Sequence, residues 1–388
     1  MKQRFEVIKR NCKQIGHYFL ILMGQTSYWY DHKNAHFKRN LLTRLVFVAI
    51  NVAGIVYLIY QKRHAFQVLT LEHMNPIMRY TGTSLFFLII LPPVSTFGQI
   101  CFCDSQFIEI KRKLQCMELK CLSKFSRCKQ IERNVGQIYV SKCITIAFMF
   151  SMTVVWYSNF FTTWQLRTVL HVNVIWLSNF WLFQYFHVMA KICRLFYYID
   201  NQIREMAEKV VKSPAGLNRK MEYHACMELF WLRQQHYRLC QILDELQTMF
   251  KWQLFLKRLV SFVYMGMHVY NTIFDTSHFD IGTILIYDVA DYVPSVLDFF
   301  MTDNLCHLTK NSFRDLQQSL NEFNGIDQQG YGRLHRECDV FSLYLHCRKL
   351  SGFQLSGPLS MNRSSWFAMM AGMVSWIIIL SQAHISKE

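Results

Sequence analysis

The sequence predicts an all-α, polytopic membrane protein of seven transmembrane helices, with a cytosolic N-terminus, an extracellular C-terminus and long helical extensions on the inner side. Three observations carry that fold class: long apolar stretches, alternation in the number of Lys and Arg between them, and the placement of the cysteines. Stretches 45–61, 80–103, 143–166, 168–190 and 364–386 contain no Asp, Glu, Lys or Arg. A bilayer core of ~30 Å takes about 17–25 apolar residues, so each of the five is long enough to cross it. Taking 259–274 and 281–302 as the two weaker spans, and leaving aside Arg44, Lys142 and Arg363, which abut the stretches, the basic residues between spans number 8, 3, 8, 1, 12, 0, 6 and 1 from the N-terminus onward. Cytoplasmic loops collect Lys and Arg. Every second segment is basic, which puts the N-terminus inside and the C-terminus outside.

The elements follow in order. Residues 1–40 are basic and polar throughout, with no cleavable signal peptide. Span one covers about 42–61 and span two 79–103, the latter interrupted by Pro92-Pro93. Each proline frees a carbonyl that a neighbouring group must satisfy. Span three (142–166) and span four (168–197) are joined by a minimal outer turn. A long inner segment, 198–253, is broken only at Ser213-Pro214-Ala215-Gly216. Beyond the break, Leu232, Leu239, Leu243, Leu246 and Phe250 recur at helical spacing and form a packing seam. Span five (254–275) needs Lys257 and Arg258 to snorkel to the interface. Span six (280–302) begins at Asp280 and carries within it Pro294 and three acids, Asp288, Asp291 and Asp298. Residues 303–352 read as two further inner helices parted at Asn324-Gly325, and Gly357-Pro358 leads into span seven (359–383). The whole chain, 1–388, is one domain, in which 198–253 and 303–352 form a cytosolic helical anchor.

Composition agrees with this layout and excludes others. Apolar residues make up 52% of the chain, yet the mean hydropathy is barely positive, so the parts outside the spans are strongly polar. The net charge of +16 is spread over four inner segments and forms no single stripe interleaved with aromatics, which excludes nucleic acid as a partner. On the inner side that charge faces anionic lipid headgroups. All thirteen cysteines fall in inner segments or near inner ends of spans, where thiols stay reduced, and none has the paired spacing of a metal site. The sequon Asn362-Arg363-Ser364 falls on the cytosolic side. No HExxH, GxSxG, P-loop or dinucleotide turn occurs, so neither an enzyme nor a cofactor is expected.

Two sets of residues are candidates for function. On span seven, Ala368, Ala371, Gly372, Ser375, Ile379 and Gln382 recur on one side, and small residues there permit close helix approach. Gln382 either lines a polar constriction on a symmetry axis or faces headgroups. In the outer halves of spans three to six, Trp156, Asn159, Trp176, Asn179, Tyr264, His268, Asn271 and Tyr287 offer aromatic walls with a few polar groups, which suits a small, moderately apolar ligand. Trp164 reads as an interfacial belt residue. Asp288, Asp291 and Asp298 share an arc of span six. They either border a hydrated cavity or hydrogen-bond to His or Tyr on spans four and five.

With its N-terminus inside, its long inner helix between spans four and five and its polar-ended last span, the chain resembles the insect gustatory receptors. Their last span carries Thr-Tyr, five hydrophobic residues, then Gln-Phe. Here the stretch reads Ser375-Trp376-Ile377-Ile378-Ile379-Leu380-Ser381-Gln382-Ala383, which keeps the Gln and replaces the Phe by Ala. The resemblance implies a ligand-gated, non-selective cation channel, a homotetramer or a heterotetramer with related subunits, in the cell membrane of sensory neurons. It implies a central pore lined by span seven, with Gln382 at the outer constriction, Ile379 in a hydrophobic gate and Ser375 on the same face. A small-molecule tastant would bind in the outer half of the bundle, with Trp156, Asn159, Trp176, Asn179, Tyr264, His268, Tyr287 and Asp288 as candidate contacts.

A G-protein-coupled receptor also has seven spans, but it requires an outer N-terminus, a basic inner C-terminal tail and an outer disulfide. A transporter requires repeated halves or paired broken helices, and neither occurs in the sequence. Terminal accessibility separates the readings. An epitope tag after Glu388 is expected to stain intact cells, whereas one at Met1 stains only after permeabilisation; the reverse pattern overturns the topology.

Overall fold

The computed structural model describes residues 18, 21, 24–31, 36–69, 76–125, 129–160, 166–211, 219–274, 281–325, 332–348, 354–356, 359–360 and 363–385. Of these, the side chains of 29–31, 36–39, 62, 64–69, 76–86, 129, 156–160, 166–168, 211, 219, 267–274, 281–292, 324–325, 354–356, 359–360, 380 and 383–385 are outside the description. Eight α-helices are described: α1 (Leu41–Leu69), α2 (Pro76–Leu122), α3 (Lys129–Phe160), α4 (Leu166–Val211), α5 (Arg219–Phe274), α6 (Ile281–Asn321), α7 (Gly332–Cys347) and α8 (Arg363–Ile385). Two short antiparallel hairpins depart from the all-helical expectation. Strand β1 (Tyr28–Asp31) pairs with β2 (His36–Arg39) in the register Tyr28↔Arg39, and β3 (Gln354–Ser356) pairs with β4 (Leu359–Ser360). The aromatic run Tyr28-Trp29-Tyr30 favours a strand.

Helix boundaries follow local chemistry. Asn40 caps α1: its side-chain oxygen accepts a hydrogen bond from the Leu42 amide at 3.0 Å. Pro76 opens α2 at a position where its missing N–H costs nothing. Helices α2, α4, α5 and α6 have 47, 46, 56 and 41 residues. At ~1.5 Å per residue even the shortest is about 60 Å long, twice the ~30 Å of a bilayer core. Each therefore continues beyond any span it contains. The expected spans one to six lie in α1 to α6, and span seven in α8.

The main core sits in the extensions. Helix α4 is flanked by α1, α2, α3, α5 and α6 and has no exposed residue between Val172 and Ile203. At its middle, Phe107 of α2, Trp181 and Tyr185 of α4, and Phe250 of α5 form an aromatic knot. Ring centroids are 4.8 Å apart for Phe107–Trp181, 5.0 Å for Trp181–Phe250 and 5.2 Å for Tyr185–Phe250. The predicted seam Leu232, Leu239, Leu243, Leu246 and Phe250 is buried in this core. Towards the other end, Gly54 lets α1 approach α4 so closely that a Cβ there would stand 2.2 Å from Val174 Cγ2.

The apolar windows outside this core are left open. Within the described residues, Leu41–Gln61, Phe87–Leu122 and Gln130–Val155 are long and apolar enough to span, and only 28%, 28% and 11% of them is buried. Val52, Val56 and Ile59 of α1 and Val140, Ile144 and Phe148 of α3 are exposed. Such an apolar surface suits acyl chains and is untenable in water.

Two expectations need correction. The N-terminal tail is not wholly an inner polar segment. Residues 24–28 are docked among α1, α2 and α4: Asn51 Nδ2 donates to the Gly24 carbonyl at 2.6 Å and Gln25 Nε2 to the Asn173 carbonyl at 3.0 Å. Ser27 Oγ donates to Asp104 at 3.3 Å, and Lys111 Nζ to the Tyr28 hydroxyl at 2.9 Å. Gly24, at φ 62°, supplies the left-handed turn of this segment. Arg258 does not snorkel outward; it is buried and forms an ion pair with buried Asp303 of α6. The carboxylate offers a stronger partner than a distant interface would.

In the extension core, His236 of α5 is fully buried among Phe196, Phe313, Phe341 and Tyr344, with Nδ1 3.6 Å from Cys240 Sγ. Burial pushes its pKa down to about 3, and the Arg348 charge adds to the shift. In the unfolded chain it titrates near 6.5. Between those values only the unfolded chain binds the proton, so stability falls as pH drops below 6.5, by about 2 kcal/mol between pH 8 and pH 5. His236→Phe is expected to flatten this part of the profile in melting curves taken at the two pH values. An unchanged acid sensitivity would remove His236 as its source.

Candidate functional site

Two places gather sequence-predicted functional residues. The first is a closed space between α3, α4 and α6, walled by Lys142, Met149, Trp176, Asn179, Phe183 and Asp298 among others. Its free volume of about 10 Å³ is room for roughly one water. Trp176 is buried, held edge-on by Phe150 at 5.2 Å and beside Phe180 at 5.7 Å. Its indole N–H has no acceptor among the described residues. Asn179, half-buried one turn further along α4, stands on the same wall. Its walls are mostly apolar, with one unused donor and one amide.

The floor of this space is ionic. Lys142 of α3 is buried, with Nζ 2.5 Å from Asp298 Oδ1, 2.8 Å from the Asp298 carbonyl and 2.9 Å from Thr302 Oγ1. The Phe186 ring lies 5.1 Å from the same ammonium. Asp298 therefore pairs with a lysine of α3. Counting charges by loop hid Lys142, because it falls at the very start of an uncharged stretch. Its position level with an intramembrane acid on another helix was the one available signal.

Of the other candidate pocket residues, Tyr264 is half-buried on α5 and does not line the space. Trp156 and Asn159 on α3, His268 and Asn271 on α5, and Tyr287, Asp288 and Asp291 on α6 lie outside the described side chains, and Trp164 lies outside the described residues. The structure thus brings Trp176 and Asn179 together and adds Lys142 and Asp298.

The second place is α8. It attaches to the bundle through one face, where Met373 meets Met265 of α5 and Phe299 of α6, with Trp366, Met369 and Met370 alongside. Trp366 Nε1 donates to the Val296 carbonyl at 3.3 Å. Gly266 of α5 makes room for Trp376: a Cβ at that glycine would meet the indole Cδ1 at 2.5 Å. Arg363 ties the start of α8 to Asn304 Oδ1 at 2.6 and 2.9 Å. At ~100° per residue, Ala371, Ser375 and Gln382 lie about 160–180° from Met373, with Ile379 about 120° away. All four are exposed. Gly372 departs from the expected small-residue face; it sits on the attached flank, where a Cβ would be 3.6 Å from Phe262.

Asp298 and Phe299 are neighbours in α6, one on the floor of the closed space and the other against α8. A shift of α6 that separates Lys142 from Asp298 therefore acts directly on the seat of the last helix.

A family model described as 7tm Chemosensory receptor matches residues 14–387. Among solved structures, the insect olfactory receptor OR5 from Machilis hrabei has a similar fold, with a TM-score of 0.60 over 96% of this chain and 98% of that chain, at 12% sequence identity. No curated protein matches the sequence significantly.

Removing one partner of a buried ion pair strands the other, at a cost of about 3–5 kcal/mol, whereas replacing both with apolar groups of similar size is near neutral. Lys142→Met and Asp298→Asn are each expected to lower the melting temperature of the purified protein, and the double replacement Lys142→Met with Asp298→Leu to recover most of the loss. Additive losses in the double variant would show that the two charges do not stabilise the fold as a pair.

Proposed function

The chain belongs to the 7tm chemosensory receptor family, and from that premise we propose that it is a gustatory receptor: a tastant-gated, non-selective cation channel of sensory neurons. The observation that carries the reading is the one-sided attachment of α8, which turns Ala371, Ser375 and Gln382 away from its own bundle. In a homotetramer, or a heterotetramer with related subunits, four such faces meet on an axis, with small residues allowing close approach. Gln382 then forms the outer constriction and Ile379 a hydrophobic barrier beneath it.

The remaining parts follow the same frame. The alternation of basic residues supports a cytosolic N-terminus and an outer C-terminus. Segments 198–253 and 303–352 form the inner anchor of a single 1–388 domain, and the exposed apolar faces of α1 and α3 meet the lipid bilayer. The tastant is a small, moderately apolar molecule that enters from outside and expands the space at Trp176 and Asn179. Trp156 and Asn159 on α3, His268 on α5, and Tyr287 and Asp288 on α6 stand further out, and Tyr264 on α5 borders the route. A ligand that binds the expanded state more tightly shifts the population towards it. Through Asp298 and Phe299 of α6 that shift reaches Trp366 and Met373, and α8 moves off the axis.

The pore reading is tested by two substitutions on the free face of α8. Gln382→Lys sets about four positive charges around a narrow axis and is expected to suppress cation current. Ile379→Ala is expected to raise ligand-independent leak by shortening the barrier. Neither residue is part of the subunit core, so surface labelling should stay at the wild-type level. Unchanged conductance and gating in both variants at equal surface density would remove α8 from the pore.

A further inference from the structure

On the extension core, α5 and α7 enclose a groove of about 460 Å³, within the ~300–1,000 Å³ range of small-molecule sites. One face of α5 supplies Phe230, Gln234, Tyr237, Arg238 and Gln241, and Tyr344 of α7 closes the side; no carboxylate is among its lining residues. Two cations are committed. Arg233 pairs with Glu337 at 3.1 Å and lies 5.2 Å over the Phe230 ring, while Arg348 pairs with Asp244 at 2.5 Å and lies 5.7 Å over the Tyr237 ring. These two contacts fix the aromatic rings, yet Phe230 stays 37% and Tyr237 46% exposed. Arg238 is exposed and makes no ion pair or hydrogen bond among the described residues, and the Gln234 and Gln241 amides are likewise uncommitted.

From this arrangement we propose that the groove binds a nucleoside phosphate. The exposed rings accept a planar base by stacking, which tolerates any base because each has a π-face. The two free amides on the same helix face reach the base edge or ribose hydroxyls. Arg238 takes the phosphate through a charge-assisted fork, a geometry that suits phosphate oxygens better than a point charge does. Position selects a soluble ligand over a lipid headgroup: Arg238 lies about 24 Å along α5 from the expected inner end of span five at residue 254. Access from the cytosol rests on the topology proposed above, whereas the binding itself does not.

The test uses the purified full-length protein in detergent, titrated by calorimetry with ATP, adenosine and tripolyphosphate. ATP is expected to bind, and adenosine and tripolyphosphate to bind at least about tenfold more weakly, since each lacks one half of the recognised chemistry. Arg238→Gln is expected to weaken ATP by about tenfold without changing the melting temperature of the free protein. No heat with ATP overturns the proposal, as does equal affinity in the Arg238→Gln variant. Tripolyphosphate binding as tightly as ATP overturns the assignment of the aromatic rings to a base, and with it the nucleoside. A reversed topology in tag-staining experiments would leave this binding intact, so the two failures are distinguishable.

Discussion

Burial of α4 from Val172 to Ile203 is the constraint on which the rest of the structure depends. A helix with no exposed residue over that length must be wrapped by others, and here α1, α2, α3, α5 and α6 do the wrapping. The aromatic knot of Phe107, Trp181, Tyr185 and Phe250 fixes α2 and α5 to it where the spans give way to the extensions. Its polar atoms are answered locally: Trp181 Nε1 donates to Gln99 Oε1 at 2.7 Å, and Gln247 Nε2 to the Tyr185 hydroxyl at 3.2 Å. In a low-dielectric interior, unanswered groups of this kind would cost more than the packing around them returns.

That arrangement divides the molecule into a densely packed part and a weakly packed one. The extensions hold most of the large core, including the Leu232–Phe250 seam and the His236 cage. The far end holds the small space at Trp176 and a small cluster of Met265, Phe299 and Met373. Fewer buried contacts mean a lower local opening energy. Helix α8 sits on this weakly packed end, and Gly266 against Trp376 defines its seat.

The ionic pairs belong to the same division. Arg258–Asp303 joins α5 to α6, and Lys142–Asp298 joins α3 to α6. Both meet on α6, within two turns of each other. Buried pairs contribute little net stability against an apolar alternative, but they strongly penalise wrong registers. They position α6, which touches both the closed space and α8.

By itself, the sequence determined the helical class, the positions of the long apolar helices, the Leu232–Phe250 seam and the contrast between the two faces of the last helix. Each is a periodic or compositional property within about twenty residues, and burial follows directly from it. The tertiary structure alone decided the rest. Lys142 and its acceptors on α6 are 156 and 160 residues apart, and no local pattern announces such a pair. The docking of residues 24–28 beside Asn51 and Asn173 was hidden for the same reason: a short polar run reads as solvent-exposed until a matching set of buried amides is seen to receive it. Gly372 moved from the free face of α8 to its attached flank because a repeat of small residues defines a stripe only to within a turn, and the neighbour, here Phe262, decides which edge is covered. Helical periodicity is written in the order of residues, whereas the partners of isolated polar groups are set by which helices the burial of α4 brings together.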